Sequence, residues 1–288
     1  MIGAKAPAKI NLFFEVGPLG ASGYHGVVSV YQSLDLFEEV WVEPAAAWSV
    51  TVTGDRGAET FAMVPKDESN LVVKAAKALA TKAGIDNPHP MHFKIVKRVP
   101  AAGGVAGGSA DAAAALVALN EAWCLGLQQV TLLEVAAELG ADVPFALLGG
   151  TALGLGSGTE LTQLAPVDSR FVLLVFSTPG ISTAESFKVF DRVSPVGDIT
   201  IDPHKLESGF DLAMAGRNSL LAPALELRPD LSEMLNLFPG KVHLSGSGPT
   251  LYLLGETEAE VLLWQEKYQE LGYETLLTRF GSEGAGLI

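Results

Sequence analysis

The chain has a single cysteine, Cys124, few basic side chains, and no apolar run with the character of a membrane span. One cysteine excludes an intrachain disulfide framework and a multi-cysteine metal site, and it fits a reducing compartment. Met1 to Pro7 carries no apolar core of a secretion signal, so a cytoplasmic protein outside the membrane is expected. Lys and Arg total 19 against 33 Asp and Glu, a formal net charge of -14. That field repels nucleic-acid phosphates, and no nucleic-acid partner is expected. A small phosphorylated ligand is not excluded, because backbone N–H groups at a helix start hold an anion without any net positive charge.

Apolar material is plentiful. With 288 residues, 48% of them hydrophobic, the chain can bury two cores, and two domains are expected, residues 1–158 and 159–288. Residues 8–16, 26–34, 38–43 and 48–53 are rich in Val, Phe, Trp and Leu between turn-forming residues, which predicts a mostly antiparallel sheet. From Asn70 to Gly84 the apolar residues Leu71, Val72, Ala75, Ala76, Leu79 and Ala80 follow helical spacing. His92 to Val99 reads as a strand, and an alanine-rich helix runs to about Leu125 with Ser109 as its expected N-cap. Thr131 to Leu139 is a shorter helix, and Gly149 to Gly158 a strand and turn. Strands at 171–176, 242–244 and 251–254, a helix at 258–271 and a loose tail from Gly281 complete an α+β reading.

Between the strand ending near Val99 and the Ser109 helix lies Gly103-Gly104-Val105-Ala106-Gly107-Gly108, four glycines in six residues. Glycine lets the main chain turn through positive φ and approach a charged group, while a helix start supplies unpaired N–H donors and partial positive charge. Strand, glycine turn and helix start in that order make an anion cradle. A glycine turn that only permits close helix packing is the competing reading. A Walker A loop is excluded, since Gly108 is followed by Ser109 with no lysine, and a dinucleotide G-x-G-x-x-G fails because neither Gly103 nor Gly104 has a glycine two residues on.

Pro100 to Ala113 resembles the phosphate loop of the GHMP kinases, the family of galactokinase and the homoserine, mevalonate and phosphomevalonate kinases. Pro7-Ala8-Lys9-Ile10-Asn11-Leu12 is similar to that family's N-terminal signature, and Leu244-Ser245-Gly246-Ser247-Gly248-Pro249 to its C-terminal glycine motif. The resemblance implies a two-domain fold, with an N-terminal ribosomal-protein-like ATP-binding domain, a C-terminal ferredoxin-like α/β sandwich and a cleft between them. It implies ATP with Mg²⁺, and a monomer or weak homodimer. Ala8 to Phe13, Gly23-Tyr24-His25 and Leu139 to Pro144 further resemble the members that phosphorylate the 2-hydroxyl of cytidine diphosphate methylerythritol in non-mevalonate isoprenoid synthesis.

On that resemblance Lys9 and Asp142 are the catalytic pair. A carboxylate can take or aim the proton of an attacking hydroxyl, and an ammonium can stabilise charge on the transferring group. The alternatives are a surface lysine and a turn-capping aspartate. Asn70, Lys97, Pro100, Gly103, Gly104, Gly107, Gly108 and Ser109 match ATP-binding positions, and Asn11, Tyr24, His25 and Phe187 match substrate positions. Tyr24 and Phe187 would sandwich the cytosine while His25 reads its edge. Phe187 could equally be a core aromatic. No protein metal ligand is implied. The uncharged Gly17 to Ser22 departs from the basic residues common there in the family.

Overall fold

The computed structural model describes residues 1–20, 23–54, 61, 63–193 and 199–288. Ala21 and Ser22 of the uncharged loop lie outside the described residues. The strands are β1 Ile2–Leu19, β2 His25–Pro44, β3 Ser49–Gly54, β4 Met91–Lys97, β5 Thr151–Leu155, β6 Glu160–Gln163, β7 Phe171–Phe176, β8 Arg217–Asn218, β9 Val242–Leu244, β10 Leu251–Gly255, β11 Glu274–Arg279 and β12 Gly286–Leu287. The helices are α1 Leu71–Lys82, α2 Gly107–Ala122, α3 Gln129–Leu139, α4 Val143–Leu148, α5 Thr183–Val193, α6 Pro203–Glu207, α7 Leu221–Leu227, α8 Leu231–Asn236 and α9 Glu258–Glu270.

These elements form an α+β fold with two sheets. The first runs β12-β1-β2-β4-β3, with β5, β6 and β8 branching from it, and the second runs β11-β7-β10-β9. The boundary expected at 158/159 falls in the turn between the paired strands β5 and β6. The strands predicted at 26–34 and 38–43 are one element, because β2 is long enough to change partner. Its first half pairs with β5 and its second half with β4, while β1 runs along both.

The alanine-rich α2 is buried on most sides, from Ala110 to Leu116 without a break. Small side chains let it lie close on the sheet, in one core with Val40, Val42, Phe93 and Ile95 and the apolar face of α1. A second apolar core joins the sheets: Ile10, Leu12, Phe13 and Val28 of the first meet Val172, Leu174 and Tyr252 of the second. The Tyr252 hydroxyl donates to the Asn11 carbonyl at 2.9 Å, which ties the second sheet to the strand that carries Lys9.

The tail from Gly281 is docked, contrary to the expectation of a loose end. Gly281 N–H donates to the Ser33 carbonyl, Gly286 and Leu287 pair with β1, and Ile288 N–H reaches the Gly3 carbonyl. Its polar residues and glycines disguise a strand whose stability comes from an edge at the other end of the chain, Ala4 and Lys5.

Candidate active site

The start of α2 differs from the expected Ser109 cap. The helix begins at Gly107, and its N-cap is Ala106, held at φ 59 with no side-chain bond to the exposed amides. Ala102 is also left-handed, at φ 54. Left-handed alanine is strained by about 1–2 kcal/mol, and such strain gathers where the backbone conformation itself is functional. The loop is held in that shape by its carbonyls. Gly103 O accepts from Thr250 N–H, Gly104 O from the Ser245 hydroxyl, and Val105 O from Lys9 N–H. Carbonyl dipoles are thereby spent within the protein, and the uncapped N–H groups of the first turn are the polar groups that remain for a ligand.

The glycines of this loop have different reasons to be glycine. Gly104 has φ +81, and a Cβ there would overlap the Ser245 carbonyl oxygen. A Cβ on Gly107 would sit 2.7 Å from Val99 Cγ2 and 3.0 Å from Lys97 Nζ. Gly108 is exposed, has no positive φ, and a Cβ there would meet nothing within 4 Å. The protein itself therefore requires Gly104 and Gly107 to lack side chains, but not Gly108.

This loop forms one wall of a cleft of ≈ 410 Å³, lined also by Lys9, Asn11, Tyr31, Asp142, Ser182, Thr183, Phe187, Gly246 and Ser247. Lys9 stands on β1 and is only 4% exposed. Its ammonium donates to Asn11 Oδ1 at 2.6 Å and to the Gly104 carbonyl at 3.4 Å, and lies 3.4 Å from Asp142 Oδ2. It is no surface lysine. Asp142 sits at the N-cap position of α4 with αR backbone, and its side chain makes no cap bond. Its carboxylate is thus directed to the cleft instead of to the helix end. Asn11 is oriented by a 2.7 Å bond from its amide to Ser29 Oγ.

Tyr31 carried no sequence signal, yet it lines the cleft beside Asp142. Burial, and next the charge of Asp142, push the Tyr31 phenol far above its usual range, so it stays a neutral donor. Asn218, in a stretch given no role from sequence, donates to the carbonyls of Leu244 and Gly246 and so fixes the C-terminal glycine motif against the cleft.

The cleft gathers Lys9, Asn11, Gly103, Gly104, Gly107, Gly108, Ser109, Asp142 and Phe187 of the expected residues. It does not gather Tyr24, His25, Asn70, Lys97 or Pro100. Asn70 caps α1, accepting from Val72 N–H at 3.0 Å and donating to the Pro65 carbonyl at 2.6 Å. Lys97 is buried under the loop against Asp111 and Glu38. The Tyr24 ring is 74% exposed, and the ring stacked on Phe187 is that of His25, at 5.3 Å between centroids. His25 Nδ1 lies 2.8 Å from the Gly17 carbonyl, which can only accept and so assigns a proton to Nδ1, and Nε2 faces Asp191 at 3.1 Å. Among the described residues no cluster of three His, Cys, Asp or Glu could hold a metal, and no helix is long and apolar enough to cross a membrane.

A nucleotide-sized cleft with an uncapped glycine-rich helix start on one wall and an ammonium–carboxylate pair on another defines a small-molecule kinase. Residues 70–150 match the family model of the GHMP kinases N terminal domain. The 4-diphosphocytidyl-2-C-methyl-D-erythritol kinase of Leifsonia xyli is 41% identical over 270 residues, covering 87% of this chain and 86% of that protein. The protein of the same name from Nocardia farcinica is 42% identical over 265 residues, covering 88% and 84%. A solved 4-(cytidine 5'-diphospho)-2C-methyl-D-erythritol kinase superposes with a TM-score of 0.75 at 27% identity, covering 98% of this chain and 100% of that one. Methanococcus jannaschii mevalonate kinase, 11% identical with a TM-score of 0.67, shares the fold. The chain belongs to the GHMP kinases, in the family of the 4-diphosphocytidyl-2-C-methyl-D-erythritol kinases.

Proposed function

We propose that this kinase transfers the γ-phosphoryl group of ATP to the 2-hydroxyl of 4-(cytidine 5'-diphospho)-2-C-methyl-D-erythritol, with Mg²⁺ accompanying the nucleotide. The observation that carries the reading is the Lys9–Asp142 pair, 3.4 Å apart in the cleft that the glycine loop walls. The relatives' shared name supports the choice of substrate.

The chemistry follows from the placement. Amides at the start of α2 hold the triphosphate, as helix N-termini hold phosphate generally. The substrate hydroxyl attacks the γ-phosphorus; the new O–P bond forms as the bond to the β-phosphate oxygen breaks, and ADP leaves. Asp142 accepts the hydroxyl proton, and Lys9, fixed by Asn11 and the Gly104 carbonyl, neutralises charge on the transferring group. Tyr31, a neutral phenol beside Asp142, lines the same cleft. Among the described residues Asp142 is the one carboxylate lining the cleft, so Mg²⁺ would take most of its ligands from phosphate and water, as is usual for this ion. Phe187 is the aromatic platform offered to the base, with His25 behind it.

Incubation with Mg-ATP and a panel of alcohols, following ADP release, tests this. Turnover confined to the cytidine diphosphate methylerythritol is expected. Equal or faster turnover of homoserine or mevalonate would overturn the choice of substrate and leave the kinase.

A further inference from the structure

Beneath the phosphate loop lies a buried charged cluster that the reaction above does not use. Glu38 on β2 is 0% exposed, Lys97 at the end of β4 is 1% and Asp111 on α2 is 3%. Each joins a different part of the loop. The Glu38 carboxylate accepts the N–H groups of Arg98 and Val99, at 3.1 and 3.0 Å, where the chain enters the turn. Lys97 donates to Asp111 at 2.8 Å, where the chain leaves it as helix, and lies 3.3 Å from Glu38. The first turn of α2 rests on this cluster, since a Cβ on Gly107 would be 3.0 Å from Lys97 Nζ and 3.4 Å from Glu38 Oε1.

The charges do not balance. Fully ionised, two carboxylates face one ammonium, a net charge of minus one, and among the described residues Asp111 Oδ1 has no hydrogen-bond partner. The groups facing Glu38 are Lys97 from β4, Asp111 from α2 and the two main-chain N–H donors. Burial pushes the Glu38 carboxyl up to about 7 against the pull of Lys97, and burial raises Asp111 as well. Burial opposes the charge on Lys97, but the carboxylates beside it outweigh that and raise its pKa, so the ammonium persists. Gly107 stands between this cluster and the cleft, so an anion seated on the far side of the same helical turn makes the surplus negative charge harder to hold.

We infer that Glu38, Lys97 and Asp111 are positioning residues: a buried clamp that joins the two ends of the phosphate loop and takes up a proton when a triphosphate seats on it. The inference rests on the reading of the loop as the ATP site. Because the surplus charge is discharged by that proton, ATP binds more weakly as pH rises above neutrality. The pair Glu38–Lys97 sets the loop shape, and Asp111 sets the proton linkage.

Calorimetric titration with ATP at pH 7.5, in buffers of contrasting ionisation heat, tests it on the intact protein and on Asp111→Asn. That variant removes the surplus charge with little change of shape and folds if the account holds. The wild type should take up a fraction of a proton beyond whatever ATP itself exchanges, and D111N should not. The KM for ATP should rise about five- to tenfold between pH 6.5 and 8.5 in the wild type and stay flat in D111N. The KM for the alcohol should move less than twofold in either. Lys97→Met, which leaves two carboxylates without a cation, should raise the KM for ATP at least tenfold or fail to fold. Equal proton uptake in wild type and D111N, with normal ATP binding, overturns the inference alone. No ATP binding by the wild type overturns the nucleotide reading and this inference with it.

Discussion

Gly108→Ala separates what the fold needs from what the ligand needs. Gly108 has room for a side chain, lies in the first turn of α2 and has no positive φ. Alanine is the better helix former, and near a helix end the gain is about 0.5 kcal/mol, a rise of roughly 1–2 °C in the unfolding midpoint. The same methyl group would project into the cleft beside amides assigned to the triphosphate. Losing one charge-assisted hydrogen bond costs about 1.5–3 kcal/mol, which is roughly a 10- to 100-fold rise in the Kd for ATP. The variant should therefore be slightly more stable and a much poorer nucleotide binder, by thermal unfolding and calorimetric titration on one preparation. Gly104→Ala gives the contrast, because its methyl would collide with the Ser245 carbonyl and the fold itself should suffer. A stabilised G108A protein with unchanged ATP affinity would refute the assignment of these amides.

Asp142→Asn keeps the shape of the carboxylate and should lower kcat by about 10²–10⁴ while the KM values change little, by steady-state kinetics. Phe187→Ala should raise the KM for the cytidine substrate by about tenfold and leave the KM for ATP alone; equal effects on both would mean that the ring is only a packing residue. Stability should also depend on the buried Glu38. Its carboxyl holds a proton more tightly when folded, about 7 against 4.5, so the contribution is present below pH 4.5 and is lost as pH rises through 7. The wild type should lose about 3 kcal/mol relative to Glu38→Gln across that window, by denaturant unfolding at a series of pH values.

The parts of the site that could be read from sequence are those whose chemistry is local. Four glycines between a strand and a helix offer an anion cradle or a packing turn, Lys9 and Asp142 sit in short motifs, and the structure brings all of these to one cleft. What could not be read depends on partners far along the chain. Lys97 was expected at the phosphates, but it meets Asp111 and Glu38, and no periodicity in β4 reveals that two strands and a helix bring them together. Tyr31 is one more aromatic in a strand until the fold sets it beside Asp142 in the cleft. The Ser109 cap failed for a local reason: left-handed Ala106 starts the helix two residues before Ser109, at Gly107, a conformation that alanine alone does not suggest. The docked tail and the single long β2 likewise follow from sheet pairing, where distant edges decide what a polar stretch becomes.

The central claim is that bare amides at the head of α2 aim the terminal phosphate at a hydroxyl beside Asp142. A crystal structure with a non-hydrolysable ATP analogue and the cytidine substrate measures this directly. The account predicts the γ-phosphorus on the amides of Gly107, Gly108 and Ser109, with the acceptor oxygen about 3 Å from an Asp142 carboxylate oxygen. A triphosphate bound away from those amides, or an acceptor hydroxyl out of reach of Asp142, would contradict it.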